Sequence, residues 1–226
     1  MRLRIHFVIV LLLAGLGQAQ VVDRMVAVVN KQVILESELD QATRVELLLQ
    51  SKPMERLTQA DRMAVLERLI DRSLLDQQIV NPAMLDPTPQ ELAAKIKEVR
   101  ESMPGAVSDA GWNGILAGYG LTQEDVEEQL TSQFRILRLI DLRFRGLVRV
   151  EKDAIATYYQ DRFLPEVRKR HAAEPKLSEV SDKIEQILVE QRIDELLRNW
   201  LKTLHAQAHI ERMISSVSPA STGAAP

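Results

Sequence analysis

Two histidines near the C-terminus have a spacing that could hold a metal ion. His205 and His209 are four residues apart, as in two-histidine metal sites on a helix. However, no acidic residue lies between them, and the helix predicted for this region ends close to His205. A positively charged histidine at a helix C-terminus is also favoured by the helix dipole alone. We therefore predict no metal site and no bound cofactor.

The other reactive residue types do not form a catalytic group. The sequence contains four histidines and no cysteine, which excludes disulfides, thiolate metal ligands and a cysteine nucleophile. Its carboxylates alternate with Arg and Lys along predicted helix faces, where such pairs stabilise a helix by about 0.2–0.5 kcal/mol each. The sequence therefore predicts that the protein is not an enzyme.

Flexible apolar side chains near the connecting segments indicate binding instead of catalysis. Methionine adapts to many partner shapes, so exposed methionines suit a surface that binds varied ligands. Met63 has the helical phase of a core residue, whereas three other methionines lie close to prolines in connectors and are expected to be exposed. Two aromatic residues lie in a glycine-rich stretch, and one of them, Trp112, could equally be a core residue. The candidate peptide-binding residues are Met54, Met84, Met103, Trp112 and Tyr119.

Helices must position these residues, because capping signals and apolar periodicity recur along the chain. Three threonines, each followed three residues later by Asp or Glu, predict capping boxes at Thr58, Thr88 and Thr122. Ser37 is the predicted cap of the first helix. The predicted helices begin at Ser37, Thr58, Thr88, Ser108 and Thr122, and two more span 152–163 and 177–205. In the last helix the apolar stripe rotates near Gln191, so its two halves should pack against different partners.

Strands are predicted at the two ends of the mature chain. Residues 25–29 and 33–35 flank a turn and predict a β-hairpin, and the alternation over 208–213 predicts an edge strand. A hairpin alone is only marginally stable, so it needs a further strand or a helix to pack on. We predict a mainly α fold in which the N-terminal hairpin and the C-terminal strand form a small antiparallel sheet.

The first 19 residues have the layout of a cleavable signal peptide. Arg2 and Arg4 precede an apolar run at 7–16, and Gly17-Gln18-Ala19 matches a cleavage site with small residues at 17 and 19. This run is short for a membrane helix, which needs about 20 apolar residues, although an uncleaved anchor is the alternative. The sequence predicts an exported chain with no integral membrane segment after cleavage. Its net charge of −3 argues against nucleic acid as a partner.

The segment behind this leader reads DRMVAVVN at 23–30 and VILESEL at 33–39. This motif resembles the opening of the N-terminal module of the SurA-type periplasmic chaperones. The resemblance implies a periplasmic chaperone module that holds unfolded outer-membrane proteins. Weaker matches are Leu69-Ile70-Asp71 with Leu74-Leu75, Leu121-Thr122 with the helix after it, Tyr158-Tyr159, and residues 184–210, which resemble the C-terminal helix and strand that fold back onto the module.

The chain departs from the family in one respect. Members usually carry one or two isomerase domains of the parvulin type between the di-tyrosine and the last helix, each about 100 residues long, an ordinary domain size. That interval is far shorter here, so we expect the isomerase to be absent. The expected organisation is a signal peptide (1–19), an N-terminal helical module (20–163), a linker where an isomerase would be inserted (164–176), a C-terminal helix and strand completing the same domain (177–214) and a disordered tail (215–226).

These observations predict an ATP-independent holding chaperone of the periplasm. Its partners would be extended apolar segments of unfolded outer-membrane or secreted proteins, and the sequence leaves its oligomeric state open. The alternative is a non-enzymatic assembly subunit whose groove binds one dedicated partner or a second copy. A residual prolyl isomerase ranks third, and it would have to show catalysis on a proline peptide well above the slow uncatalysed rate.

Overall fold

The computed structural model describes residues 23–213, and it confirms a mainly α fold with one small sheet. The predicted signal peptide and the tail from 215 onwards lie outside this range. No helix in the described range is both long and apolar enough to cross a membrane. The strands are β1 (Met25–Val29), β2 (Gln32–Leu35) and β3 (Ile210–Arg212). The helices are α1 (Glu36–Leu49), α2 (Gln59–Asp76), α3 (Pro89–Ser102), α4 (Asp109–Tyr119), α5 (Gln123–Phe144), α6 (Lys152–Tyr158), α7 (Leu164–Lys169) and α8 (Leu177–Gln207).

The sheet joins the two ends of the described chain, as predicted. Its strand order is β2-β1-β3, and β1 pairs antiparallel with both neighbours. Asn30, in the turn between β1 and β2, has a φ of +58°, a conformation that asparagine tolerates better than most residues. Its backbone N–H donates to the His209 carbonyl at 2.7 Å, and its side-chain oxygen accepts from the His209 N–H at 2.9 Å. The hairpin turn therefore also anchors the start of β3.

The N-terminus of the first helix is capped by a residue that lies before β1 in the sequence. Strand β2 ends at Leu35 and α1 begins at Glu36, so the predicted cap, Ser37, is already helical. Asp23 takes the capping role, because its carboxylate accepts hydrogen bonds from the Ser37 backbone N–H at 3.2 Å and from the Ser37 hydroxyl. The bond from the hydroxyl is the main reason that the pKa of Asp23 is lowered.

The three predicted capping boxes are all present. Thr58, Thr88 and Thr122 each accept a hydrogen bond from the backbone N–H three residues on, and the acid at that position accepts one from the threonine N–H. In the second box the Thr88 N–H donates to Glu91 at 2.7 Å, and this bond is the main reason that the pKa of Glu91 falls to about 2. These boxes fix where α2, α3 and α5 begin.

Two apolar cores stabilise the molecule. The sheet-side core packs β1 and β2 against α1, α2 and the second half of α8, which adds Leu204 and the partly buried Trp200. Trp200 meets Phe144 edge to face, with ring centres 5.6 Å apart. The helical core packs the end of α1 against α3, α4 and the start of α5. Ile184, in the first half of α8, is fully buried but belongs to neither core, so the two halves of α8 bury side chains in different places.

The segment expected to be a linker is partly helical. A turn of π-helix at Tyr159–Phe163 joins α6 directly to α7, and residues 170–176 then lead non-helically into α8. Pro165 is the second residue of α7, just after the π-helical turn, and α7 continues through it to Lys169. The Tyr159 hydroxyl donates to the Pro175 carbonyl at 2.8 Å and closes the segment into a loop.

Candidate functional site

An open apolar cavity of about 380 Å³ lies beside the helical core. We call it the apolar cavity. Its walls are the C-terminal end of α1, the connection from α1 to α2, the end of α3 and one face of α4. Its volume is at the lower end of the range for ligand pockets, which is about 300–1,000 Å³. The lining residues are Leu48, Ser51, Pro53, Met54, Glu55, Met103, Pro104, Gly114, Ile115, Gly118 and Tyr119.

The connection between α1 and α2 forms one wall and is held by specific bonds. After α1 ends, Ser51 adopts a φ of +51° and its N–H donates to the Leu48 carbonyl at 2.9 Å. Lys52 then forms an ion pair with Asp61 of α2 at 2.8 Å. Because Asp61 accepts hydrogen bonds from Lys52 and Thr58, its pKa lies well below the ordinary range. This wall therefore has a fixed position next to the start of α2.

Helix α4 forms the opposite wall with side chains of very unequal size. Gly114 and Gly118 are one helical turn apart, and a Cβ atom built at either would meet no other heavy atom within 4 Å. The two glycines therefore leave a bare strip of helix backbone that an extended chain could approach closely. The Tyr119 hydroxyl donates to the Lys52 carbonyl at 3.1 Å and ties this wall to the other one.

The floor of the cavity belongs to the helical core. Met103, which follows α3, has an exposed fraction of 6 %, and Trp112 behind it has 1 %. Arg100 holds the connection from α3 to α4 by donating to the carbonyls of Ala106 and Val107, each at 2.9 Å. Its guanidinium carbon lies 5.9 Å from the centre of the Trp112 ring. The floor is thus rigid, and the accessible part of the cavity is the gap between its walls.

The structure brings together three of the five predicted binding residues. Met54, Met103 and Tyr119 all line the apolar cavity. The expectation that Met103 would be exposed is wrong, because the turn after α3 folds it under α4. Trp112 is a core residue and does not line the cavity. Met84 is 78 % exposed in the short helical turn Pro82–Met84, away from the cavity lining.

Sequence reasoning missed the glycine wall. Gly114 and Gly118 were not among the predicted binding residues, and both lie within α4. Their separation by four residues was the available signal, since it places both on one helix face. Ile115 also lines the cavity, four residues before Tyr119, so this pair repeats the spacing of the two glycines one residue further along the helix.

His205 and His209 each pair with a carboxylate. The Nε2 atom of His205 lies 2.5 Å from an oxygen of Asp71, which joins α8 to α2. His209 pairs with Glu211 at 2.6 Å on β3. Within residues 23–213 there is no group of three or more His, Asp or Glu side chains that could hold a metal ion.

Comparison with known proteins gives a consistent assignment. The family model described as the SurA-like N-terminal domain matches residues 3–140. A relative, Chaperone SurA of Cupriavidus pinatubonensis (strain JMP 134 / LMG 1197), is 30 % identical over 147 residues. That match covers 64 % of this chain and 29 % of the relative, so the chain corresponds to less than a third of that protein. Because the family model covers more than half of the sequence, this chain belongs to the family of SurA-like N-terminal domains.

Proposed function

We propose that the protein is an ATP-independent holding chaperone that binds extended apolar segments of unfolded proteins in its apolar cavity. The observation that carries the proposal is the open, apolar gap between the connection from α1 to α2 and the glycine strip of α4. Membership of the SurA-like family and the similarity to a protein named as a chaperone support the same function.

The dimensions of the cavity suit one or two large apolar side chains of a client. Burying one such side chain contributes about 1.5–3 kcal/mol, whereas ordering a disordered segment costs about 2–5 kcal/mol or more. Binding at a single segment is therefore weak and reversible, and a long unfolded client would be held through several successive segments. Met54 and Tyr119 would contact the client from opposite walls, and Met103 from the floor. Met84 would make a separate contact outside the cavity.

The proposed setting is the bacterial periplasm, reached by means of the signal peptide at 1–19, and the proposed clients are outer-membrane or secreted proteins. Sequestering their apolar segments would lower the concentration of strands that are free to aggregate. Release would come from transfer to a receptor that binds the client more tightly. In this proposal the protein has no enzymatic step, and residues 164–176 mark the place where other members carry an isomerase domain.

An aggregation assay tests the proposed function. An unfolded outer-membrane β-barrel protein is diluted from urea with and without the mature chain, and light scattering is followed. An unrelated soluble client is diluted in parallel. The proposal predicts suppression of scattering at near-stoichiometric amounts of the chain. Scattering curves that are unchanged for both clients would contradict it.

A further inference from the structure

A second cavity, of about 440 Å³, lies where α1, α2 and α5 meet, and its walls are polar. We call it the polar cavity. Helix α1 contributes one acid, α2 an arginine and an acid, and α5 two acids and an arginine. At neutral pH these six groups carry four negative and two positive charges. They are Glu38, Arg72, Asp76, Asp125, Glu128 and Arg135.

The charges facing this cavity are paired unevenly. Arg135 forms an ion pair with Asp86 at 2.5 Å, and Asp125 accepts from the Thr122 N–H at 2.6 Å as part of the capping box of α5. Arg72 donates to the side-chain oxygen of Gln129 at 2.7 Å. By contrast, within residues 23–213 none of the four acids at the cavity, Glu38 and Asp76 included, has a basic nitrogen within 4.0 Å. All four carboxylates therefore face the cavity without a direct counter-ion.

Burial at the cavity disfavours the ionised form of two of these acids, Asp76 and Glu38. Burial raises the pKa of Asp76, and the charges of Arg72 and Arg135 offset only part of the rise. Burial also raises the pKa of Glu38. The Leu35 backbone N–H and the charge of Arg72 offset part of this rise, and the negative charges of Glu128 and Asp76 add to it. Asp76 is half-buried and Glu38 lies at the open mouth of the cavity, so the larger effect on stability is expected from Asp76.

We propose that the polar cavity is an acid-strengthened junction, in which protonation of Asp76 and Glu38 tightens the packing of α1 and α2 on α5. Uptake of two protons brings the six facing groups from a net charge of −2 to zero. The folded state then binds more protons than the unfolded state, so stability rises as the pH falls through the folded pKa values and the gain is complete below the ordinary values. This gain in stability belongs to the fold and does not depend on client binding.

The experiment measures the melting temperature of the mature chain between about pH 8 and pH 3.5 for the wild type and for a Glu38→Gln, Asp76→Asn double variant. The amides imitate the protonated acids, so the variant should melt about 2–4 °C higher than the wild type at pH 8. The difference should shrink as the pH falls and vanish below the ordinary pKa values of about 4. A control double variant, Glu185→Gln with Asp194→Asn, makes the same charge change on exposed positions of α8 and should follow the wild-type profile.

A difference between the double variant and the wild type that stays constant at all pH values would overturn the proposal. Titration of the wild-type side-chain carboxyl groups by NMR gives a second readout that needs no variant. It should place the midpoint of Asp76 above the ordinary aspartate value of about 3.9. A midpoint at or below that value would also overturn the proposal.

Discussion

Helix α1 borders both cavities, and its two ends differ in chemistry. Its first half presents Glu38 and Gln41 to the polar cavity, and its last turn presents Leu48 to the apolar cavity. The polar cavity is lined by charged side chains, which are stable there only when they are hydrated or, for the acids, protonated. The apolar cavity is lined mainly by carbon atoms and by two glycines whose faces are open. One helix thus supports a region that responds to pH and a region that can accept an apolar ligand.

The comparison shows that cavity volume alone says little about function. The two cavities have similar volumes, about 440 and 380 Å³. An apolar client segment gains free energy only where it displaces water from apolar walls. In the polar cavity it would desolvate carboxylates and guanidinium groups without satisfying them, which is unfavourable. We therefore expect clients at the C-terminal end of α1 and titration effects at its N-terminal end.

The largest predicted effect is the loss of stability in Trp112→Ala, in the helical core behind the floor of the apolar cavity. This change should cost about 3–5 kcal/mol of the free energy of unfolding, since it empties a fully buried site in the helical core. The melting temperature should fall markedly, and the pH profile assigned to the polar cavity should keep its shape. Trp112→Phe is the control, because within residues 23–213 the indole N–H is buried without a partner and its loss should cost little. Equal destabilisation by both changes would contradict this assignment.

A smaller effect on the melting temperature is predicted for the connection from α1 to α2, which forms one wall of the apolar cavity. Its pH dependence is opposite to that of the polar cavity, because its contribution to stability falls as the pH falls. The pKa of Asp61 is lowered by its bonds to Lys52 and Thr58, so the stability that it contributes is present above the ordinary aspartate value and is lost as the pH falls toward the folded value. Asp61→Asn should therefore lower the melting temperature at pH 6 and reduce the further loss between pH 5 and pH 3. Thermal melts by circular dichroism measure both. If the melting temperature of Asp61→Asn fell as steeply between pH 5 and pH 3 as that of the wild type, this role of Asp61 would be contradicted.

Local chemistry explains why much of the fold could be predicted from sequence. The capping boxes at Thr58, Thr88 and Thr122 involve residues three apart, so their spacing alone predicts them. The pairing of β3 with the N-terminal hairpin could be predicted from alternation at both ends of the chain, because a hairpin needs a partner. The cap of α1 could not be predicted in this way. Asp23 lies 14 residues before Ser37, and only the return of β2 brings them together.

The candidate site was predictable in composition but not in geometry. Proximity to proline correctly indicated connecting segments around Met54 and Met84, but the burial of Met103 depends on how α3, α4 and α1 pack. That packing is tertiary, and helix periodicity does not report it. The role of Gly118 was missed for a related reason, since glycine inside a helix disfavours the helix locally and gains a use only where another chain approaches.

The most direct test of the proposed client site fills the apolar cavity from the glycine wall. Gly118→Leu places a branched side chain in the gap, at a position where a Cβ meets no other heavy atom within 4 Å. The fold should be retained, because replacing glycine inside a helix is favourable by up to about 1 kcal/mol. Ala117→Leu is the matched control, on the neighbouring exposed position of α4, which does not line the cavity.

The measurement is the affinity of each variant for a fluorescently labelled, unfolded outer-membrane β-barrel protein, with circular dichroism as the check on folding. Our account predicts that Gly118→Leu weakens binding about tenfold, the equivalent of about 1.4 kcal/mol, while Ala117→Leu binds like the wild type. Unchanged binding by a folded Gly118→Leu variant would show that clients do not occupy the apolar cavity.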